Sequence, residues 1–521
     1  MKATDEQIAA ADAFHTGDHV SLQAGAGTGK TTTLALLAHT TTRRGRYLAY
    51  NRAIAQDAAS RFPKNVWCKT AHALAYAAVG HRYTARLNAP RRPAWQTGQA
   101  LGITEPIRIG ERDLSPKTLS YATLRTVARF CHTADDAIAC HHVPQLRGLE
   151  DRGLRNELAA HIVPFAQKAW VDLQHPDDGA VRFDHDHYLK IWALTRPTID
   201  TDFLLLDEAQ DTNPVVEQVF LAQRSHAQLV MVGDSAQAIY HWRGARDVMT
   251  GFDGTRLALS QSFRFGPLLA DEVNRWLAIA EAPIRLTGTP AVPTELGPVV
   301  QPDAVLCRTN VSAMAQAMEL MAAGHRVGLV GGGDSLCALA LAARDLKEGR
   351  RTTHPELVLF PSWGELQDYA AHDPAGRDLR PFVDLVDTHG TDAILAAVAQ
   401  LAPEHQAEVT VSTAHKAKGR EWAHVKIADD FTPPKDSDQH DDIGRPVPGP
   451  IDDSEARIAY VAVTRARHRL DIGGLSWIHD HPEGSPGAPV HIEQHAHPTP
   501  AAERAPAASA ASRAQPCAEG G

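Results

Sequence analysis

The sequence predicts an α/β fold built on parallel sheets, and three observations lead to this prediction. Residues 24–31 read AGAGTGKT and stand between a short strand-like run, residues 20–22, and a helix-like run, residues 32–39. Short apolar runs then alternate with helical segments through residue 79, a pattern typical of parallel sheets that bind ligands at their carboxyl edge. A second alternating region begins near residue 276. Two α/β units are therefore expected.

Residues 24–31 have the spacing of a phosphate-binding loop, with alanine in the place of the usual first glycine. Glycines let such a loop wrap so tightly that several backbone N–H groups face a β-phosphate, and the next helix adds partial positive charge. Lys30 is expected to bridge the β- and γ-phosphates, and Thr31 to hold Mg²⁺. The candidate nucleotide-binding residues of this segment are Ala24, Gly25, Ala26, Gly27, Thr28, Gly29, Lys30, Thr31 and Thr32.

The first unit is expected to open with a helix over residues 4–14. Residues 43–45, Arg-Arg-Gly, are interpreted as the C-terminal cap of helix 32–39, because positive side chains favour the carbonyl end of a helix. Residues 80–196 show no clear strand alternation and indicate a mostly helical insertion. Further strands are predicted at residues 46–50, 66–69, 203–206 and 229–232.

In the second unit, strands are predicted at residues 305–307, 327–330, 409–412 and 424–428, with a helix over 312–323. Beyond residue 480 the chain consists largely of Pro, Ala, Gly, Ser and His, a composition typical of disorder. The predicted division is 1–79 and 197–275 for the first domain, 80–196 for its insertion, 276–330 and 401–479 for the second domain, 331–400 for a reduced insertion, and 480–521 for a disordered tail.

Composition excludes several classes of protein. The chain has 521 residues, 43% of them hydrophobic, which is enough to fill several cores. No apolar stretch approaches the ~18 residues of a membrane span, and the N-terminus is too polar to open a signal peptide, so a cytoplasmic protein without a membrane partner is expected. The net charge of −10 argues against coating nucleic acid but permits a narrow basic track.

The six cysteines are scattered in a way that fits reduced thiols. The nearest approach to a metal motif is Cys131-His132 followed by Cys140-His141-His142, but this spacing is not usual for zinc. Buried thiols and surface histidines are the favoured interpretation, and a metal site is the alternative.

Two acidic residues follow the apolar run at 203–206. Asp207 at the end of a strand can hold Mg²⁺, and the adjacent Glu208 can orient and deprotonate an attacking water. Beside a phosphate-binding loop, this pair predicts nucleotide hydrolysis.

Several segments carry a family resemblance. Residues 24–31, 207–211, 232–245 and 461–466 occur in the order found in superfamily 1 helicases of the UvrD-like group. Residues 50–55, 70–76 and 412–422 look closest to the F-box DNA helicase branch. The resemblance covers about residues 1–475 and implies two RecA-like P-loop domains with parallel sheets. It also implies an ATP- and Mg²⁺-dependent DNA helicase that moves 3′ to 5′ on single-stranded DNA, acts at single-strand/duplex junctions, and serves DNA repair or recombination control.

The resemblance implies roles around the nucleotide. Gln7 would recognise the adenine edge, Glu421 would contact the ribose, and Phe263 would lie near the base. Gln237 would sense the γ-phosphate. Arg264 and Arg465 would act as arginine fingers, which must be arginines because a rigid, permanently charged fork can follow charge as it spreads over phosphate oxygens.

The resemblance also implies contacts with single-stranded DNA. Aromatic side chains would stack on bases, and other residues would contact the backbone. The candidates are Thr70, His72, Tyr240, Trp242, Arg243 and His415.

Some features depart from the family pattern. Arg420 replaces the more usual Leu, and too few residues precede Gln7 to encode an F-box, so ubiquitin-ligase function is not expected. The interval of about 70 residues at 331–400 is short for the second insertion. Two alternatives therefore stay open: a translocase that strips proteins from DNA with little unwinding, and a nucleotide-gated DNA-binding module. Protein partners and the preferred DNA structure are not specified by these motifs.

Overall fold

The structure is a computed structural model that describes residues 3–89, 93–146, 149, 151–239, 249, 251–352, 354, 356–357, 360, 362–372, 379–440 and 443–486. The described residues form two compact units. Unit 1 lies within Met1–Gln23 and Lys30–Ala258, and unit 2 lies within Ala24–Gly29 and Leu259–Ile492. Most of the predicted disordered tail falls on residues 487–521, which lie outside the described residues, and the predicted domain boundaries stay predictions.

The first sheet has six strands in the order β3-β2-β6-β7-β1-β8. All of the strand pairs from β3 through β1 in this order are parallel. The strands in this half of the chain are β1 Val20–Ala24, β2 Gly45–Ala49, β3 Val66–Thr70, β4 Ile107–Ile109, β5 Arg112–Leu114, β6 Phe203–Leu206, β7 Gln228–Gly233 and β8 Thr255–Leu259. The helices are α1 Asp5–His15, α2 Lys30–His39, α3 Arg52–Arg61, α4 Ala71–Ala78, α5 Thr84–Leu87, α6 Ala94–Leu101, α7 Pro116–Phe130, α8 Arg152–Leu173, α9 His185–Leu194 and α10 Pro214–Leu221.

Local sequence explains where two of these helices begin. Helix α1 starts in a capping box, in which the Thr4 side chain accepts from the Gln7 backbone and the Gln7 side chain accepts from the Thr4 backbone. Helix α10 starts at Pro214, a residue that suits the first helical position, after Asn213 caps the Val216 N–H.

The predicted helix cap at residues 43–45 is wrong. Helix α2 ends at His39, and Gly45 is the first residue of β2. Glycine is needed there because a Cβ atom would lie 2.2 Å from the ring of Phe203 on the neighbouring strand. Arg43 instead places its guanidinium 4.8 Å from the ring centroid of Phe14. Tertiary packing, not helix termination, therefore explains this segment.

The helical insertion shares a core with the first sheet. Leu204 and Leu206 of β6 belong to the same buried cluster as Phe130 of α7 and Leu189 of α9. The insertion is not purely helical, because β4 and β5 form an antiparallel hairpin. Strands of three residues are too short to produce a recognisable alternation in the sequence.

Arg86 is a buried cation that holds the insertion together. It donates to the Asp172 carboxylate at 2.8 Å and to the carbonyl oxygens of Asp172, His175 and Val181. Only 5% of its side chain is exposed.

Replacing Arg86 by Met is expected to lower the free energy of unfolding of the protein by about 3 kcal/mol, because it leaves the partly buried Asp172 carboxylate without its cation. Urea denaturation followed by circular dichroism measures this change. Arg82→Met, at a neighbouring exposed position, is the matched control. An Arg86→Met variant as stable as the Arg82→Met variant would contradict the assignment.

Unit 2 contains a second six-stranded sheet, in the order β11-β18-β15-β12-β14-β13, with every pair parallel. Its strands and the accompanying short pairs are β9 Gln261–Ser262, β10 Thr287–Gly288, β11 Glu295–Leu296, β12 Ala304–Cys307, β13 Val327–Leu329, β14 Val409–Thr413, β15 Trp422–Ile427, β16 Asp436–His440, β17 Pro446–Pro448 and β18 Ala466–Asp471. The helices are α11 Pro267–Ile279, α12 Asn310–Ala322, α13 Asp334–Lys347, α14 Trp363–His372, α15 Arg380–His389, α16 Thr391–Gln400, α17 Ala414–Ala417 and α18 Asp453–Val463.

The prediction of an α/β fold with two parallel sheets is confirmed. Helices α13 to α16 fill the smaller insertion, and they share a buried cluster with β12, β13 and β14. Within the described part of the chain, no helix combines the length and apolar character needed to cross a bilayer.

Candidate functional site

The carboxyl edge of the first sheet brings together Thr31, Tyr47 and Asp207 in unit 1. Asp207 follows β6 directly, and its side chain is buried. The hydroxyl groups of Thr31 and Tyr47 both donate to Oδ2 of Asp207, at 2.7 and 2.5 Å. Burial raises the pKa of Asp207 and the Glu208 carboxylate adds to the rise, whereas the bonds from Tyr47 and Thr31 and the charge of Lys30 oppose it.

Thr31 and Asp207 fit the Mg²⁺ ion that the sequence predicts. Their hydroxyl and carboxylate oxygens lie 2.7 Å apart, and oxygen ligands of this kind are the ones that Mg²⁺ prefers. The ligand assignment itself stays a prediction.

Tyr47 is a residue of this site that the sequence analysis did not identify. Parallel pairing of β2 with β6 places Tyr47 opposite Leu205, so its hydroxyl reaches the carboxylate at the end of β6. Burial, and then the Asp207 carboxylate, raise the pKa of Tyr47 well above its usual value, so the hydroxyl keeps its proton and acts as a donor. The available signal was a tyrosine in a short predicted strand that precedes β6 in the chain.

Replacing Tyr47 by Phe keeps the buried ring and removes only the hydrogen bond to Asp207. We expect the Mg²⁺ concentration that half-saturates ATP hydrolysis to rise about 10-fold, because loss of a residue that orients a metal ligand weakens metal binding. A Mg²⁺ titration of hydrolysis measures the shift. Tyr50→Phe, at a tyrosine that is 48% exposed, is the control. Superimposable Mg²⁺ curves for the Tyr47→Phe variant and the unmodified protein would rule out this role.

Glu208 has an unusual backbone conformation, with φ 52° and ψ 47° in the left-handed region. A residue with a side chain rarely adopts these angles, and the cost is ~1–2 kcal/mol. The strain is supported locally, because the Glu208 N–H donates to Asp207 Oδ1 at 2.9 Å and Gln210 Nε2 donates to Glu208 Oε2 at 2.7 Å. Strain of this kind is often found at active sites, which favours a functional role for Glu208.

Two further glutamines of unit 1 were predicted to contact nucleotide. Gln237 ends a short 3-10 turn after β7, and its Nε2 donates to Asp234 Oδ2 at 2.7 Å. Gln7 is buried, and besides capping α1 it donates from Nε2 to the Thr33 hydroxyl at 3.0 Å. Thr32, a third residue predicted to contact nucleotide, lies exposed on α2. The nucleotide roles of Gln237, Gln7 and Thr32 stay predictions.

Residues 24–29 of the phosphate loop belong to unit 2. Gly27 and Gly29 have φ +76° and +79°, which is the left-handed region that favours glycine. A Cβ atom on Gly27 would lie 2.6 Å from Cβ of Arg264. Thr28 donates from its hydroxyl to the Gly25 carbonyl at 3.0 Å and closes the turn. Residues 24–29 therefore form the tight loop that their glycine-rich sequence predicts.

The loop is also held by other segments of unit 2. The Ala26 N–H donates to the Tyr460 hydroxyl of α18 at 3.0 Å, and the Ser262 hydroxyl donates to the Ala26 carbonyl at 2.9 Å. The Phe263 N–H donates to the Gly27 carbonyl at 2.8 Å. The two residues before Arg264, and Tyr460 five positions before Arg465, thus contact the loop through its backbone.

Both predicted fingers are engaged within unit 2. Arg264 donates to the Thr464 carbonyl at 2.9 Å, and its Nε lies 2.7 Å from Glu421 Oε2, an ion-pair contact without hydrogen-bond alignment. Arg465 is only 1% exposed. Its guanidinium donates to the carbonyl oxygens of Val461 and Arg420 and to the Thr464 hydroxyl.

Two family profiles match this chain. The profile of a family described as an AAA domain matches residues 7–243, and that of the UvrD-like helicase C-terminal domain matches residues 391–476. The chain belongs to the UvrD-like superfamily 1 helicases. The family predicted from the sequence motifs is confirmed.

Two curated relatives match most of this UvrD-like chain. F-box DNA helicase protein 1 of Schizosaccharomyces pombe is 28% identical over 492 residues, covering 87% of this chain and 55% of the relative. F-box DNA helicase 1 of Gallus gallus is 29% identical over 495 residues, covering 87% of this chain and 47% of the relative. The chain therefore spans about half the length of these relatives.

A solved structure concerned with DNA unwinding at forked dsDNA by two coordinating Pif1 helicases aligns over 91% of this chain and 92% of that chain. The TM-score of this alignment is 0.34 and the sequence identity is 11%.

The DNA-contact residues expected of a UvrD-like chain are partly described. Thr70 caps α4 by accepting from the Ala73 N–H, and His72 Nε2 lies 3.3 Å from Asp186 Oδ1. His415 lies in α17, where burial, with a further contribution from Arg308, lowers its pKa. Tyr240, Trp242 and Arg243 lie outside the described residues. All six DNA contacts stay predictions.

A cavity of about 1100 Å³ in unit 1 adjoins His72 and Asp207, between the sheet edge and helix α7. Tyr121, Arg125 and Arg129 line it from one face of α7. The histidines at 132, 141 and 142, which the sequence analysis placed at the surface, line it as well.

The histidine cluster is only partly at the surface. His142 is buried, and His141 and His142 both place Nε2 against Asp135 Oδ2, at 2.6 and 3.0 Å. The Ala139 N–H donates to His142 Nδ1 at 2.9 Å, which leaves the ring proton on Nε2 to reach the carboxylate. Burial lowers the pKa of His142 to about 4. These hydrogen bonds fit the interpretation without a metal, and Asp135, His141 and His142 also lie close enough together to hold a metal ion, so the metal-site alternative stays open.

Proposed function

We propose that this UvrD-like chain is an ATP-dependent DNA helicase or translocase. It would move 3′ to 5′ on single-stranded DNA and separate the duplex at junctions. The observation that carries the proposal is the contact of Thr31 with Asp207 at the sheet edge, next to Glu208. Service in DNA repair or recombination control is part of the proposal and rests on the family resemblance, whereas the proposed cytoplasmic location rests on the composition of the sequence.

Hydrolysis would use residues of the sheet edge. Lys30 would neutralise the β- and γ-phosphates, and Glu208 would orient a water and take its proton. Thr31 and Asp207 would hold Mg²⁺, which when bound offsets phosphate charge. Gln237 would respond to the γ-phosphate.

Movement would follow from the arginines of the second domain. Arg264 and Arg465 would stabilise charge on the γ-phosphate in a nucleotide-bound state, and product release would remove that attraction. A nucleotide can shift a conformational equilibrium only by binding one state more tightly than the other. Each cycle would carry single-stranded DNA past Trp242, whose ring can stack on bases of any sequence.

The test is ATP hydrolysis measured with and without single-stranded DNA, followed by strand displacement on 3′- and 5′-tailed duplexes. Strong stimulation by DNA with unwinding of the 3′-tailed duplex supports the proposal. Hydrolysis that DNA leaves unchanged, with DNA still bound, would favour the nucleotide-gated DNA-binding module.

A second candidate is a translocase that strips proteins from DNA. The specific observation that favours it is the small second insertion, in which α13 to α16 are helices of 10 to 14 residues. Displacement of streptavidin from biotinylated single-stranded DNA, without displacement of a duplex strand, would distinguish it from a helicase.

A further inference from the structure

Gln210 is a fully buried polar residue to which the sequence motifs assigned no role. It follows the acid pair by two positions, in the 3-10 turn Ala209–Asp211. A buried carboxamide is costly unless its donors and acceptor are all paired. Its hydrogen-bond partners therefore indicate what it is for.

Both ends of the Gln210 side chain are used. Nε2 donates to Glu208 Oε2 at 2.7 Å and to Asp211 Oδ2 at 3.2 Å. Oε1 accepts the N–H of Asp234 at 2.9 Å. The carboxamide thus connects the end of β6 with the end of β7.

The connection continues to Gln237. Asp234 starts the 3-10 turn Ser235–Gln237, and its Oδ2 accepts from Gln237 Nε2 at 2.7 Å. An unbroken series of hydrogen bonds therefore runs from Glu208 through Gln210 and Asp234 to Gln237, all within unit 1.

The backbone leaves room for this arrangement at Gly233. A Cβ atom there would lie 2.6 Å from Gln210 Oε1 and 3.1 Å from the Gln210 backbone nitrogen. Glycine at the end of β7 is therefore required for Gln210 to approach, and the packing leaves the carboxamide little freedom to choose another orientation.

We propose that Gln210 is a positioning residue that fixes the carboxylate of Glu208 and couples it to the turn that carries Gln237. The proposal rests on the proposed function, because it assigns Glu208 to water activation and Gln237 to the γ-phosphate. The hydrogen bond from Gln210 Nε2 restricts the Glu208 side chain to rotamers that keep Oε2 within reach of the donor. A shift of the turn Ser235–Gln237 would move the Asp234 N–H that Gln210 Oε1 accepts. The Gln210 Nε2 group, which donates to Glu208, would move with it.

Two substitutions of Gln210 distinguish the contribution of its donor end from that of its acceptor end. Gln210→Glu keeps an oxygen for the Asp234 N–H and replaces the donor to Glu208 by an oxygen. Gln210→Met keeps the approximate shape and removes both ends. The matched control is Gln223→Met, because Gln223 is also fully buried and fully bonded, accepting from Ile199 and donating to the carbonyl oxygens of Pro197 and Val219, away from the acid pair.

The experiment measures kcat and KM for ATP with saturating single-stranded DNA, together with ADP affinity and the unfolding temperature. We expect kcat to fall about 100-fold in both Gln210 variants, because a small displacement of a reacting group has an effect of this size. KM and ADP affinity should change by less than about threefold, since Gln210 holds the water-activating residue and not the nucleotide. Gln223→Met should lower the unfolding temperature and leave kcat unchanged.

A pH profile provides a second readout that a purely structural role would not change. Protonation of the new carboxyl group in Gln210→Glu restores a donor to Glu208, so this variant should recover part of its kcat as the pH falls, and Gln210→Met should not. Equal kcat in the Gln210 variants and the unmodified protein overturns the positioning role while the proposed function stands. Equal losses of kcat in Gln210→Met and Gln223→Met also overturn it. An unmodified protein without DNA-stimulated hydrolysis overturns both proposals.

Discussion

Replacing Glu208 by Gln is expected to lower DNA-stimulated ATP hydrolysis by about 10²- to 10⁴-fold, the usual effect of removing a general base. The change keeps the shape of the side chain and its ability to accept from Gln210, so the fold should be retained. It removes the negative charge and the basic oxygen that would take the proton from water. ATP binding should persist, because the phosphate loop is unchanged.

The measurement is steady-state hydrolysis with and without single-stranded DNA, alongside binding of a fluorescent ATP analogue. Asp211→Asn is the matched control, since Asp211 also accepts from Gln210 and loses one charge in the same way. The Asp211 variant should keep most of the turnover. If both variants lost a comparable share of ATP hydrolysis, the loss would come from the changed local charge and not from a missing proton transfer by Glu208.

Replacing Arg264 by Ala is expected to lower turnover by about 10³-fold or more, the range found for arginine fingers in phosphoryl transfer. Lysine at this position should rescue little, because an ammonium group lacks the planar fork of a guanidinium. Nucleotide affinity should change much less than kcat, since the charge on the γ-phosphate oxygens that a finger stabilises develops in the transition state.

Arg467 supplies the control for this experiment. It also approaches Glu421, with NH1 3.6 Å from Oε1, and its side chain is 52% exposed. Arg467→Ala removes the same charge from the same carboxylate without removing a predicted finger. If the Arg264 and Arg467 variants lose turnover equally, the effect belongs to Glu421 and the finger assignment fails.

Alanine substitutions at Arg264 and Arg465 differ in how directly a loss of turnover can be assigned to the missing guanidinium. Arg465 is buried and donates to two carbonyl oxygens, so an alanine there leaves unpaired polar groups as well as removing charge. Arg264 is more exposed and holds one carbonyl and one carboxylate. Kinetic effects at Arg264 therefore report more directly on chemistry.

Much of the fold followed from local sequence. The run Phe203–Leu206 was predicted as a buried strand with the bounds that the structure gives it. Helix α10 likewise begins at Pro214, because proline suits the first helical position. Such features depend on residues close in the chain, where apolar periodicity and capping act directly.

Gly45 shows where local reasoning fails. Gly45 was interpreted as part of a helix cap because helix caps often contain glycine. The residue instead accommodates the ring of Phe203, more than a hundred residues away in sequence. No local pattern distinguishes these two uses of glycine.

The sequence by itself determined the family, the parallel α/β architecture and the motif residues Lys30, Thr31, Asp207 and Glu208, because each depends on short spacings. Only the tertiary structure decided that Tyr47 donates to Asp207 and that Gln210 connects Glu208 to Asp234. These contacts depend on strand order, which places β6 between β2 and β7. Alternation of apolar residues specifies that a strand is buried but not which strands lie beside it, so side-chain partners on neighbouring strands appear only once the sheet is assembled.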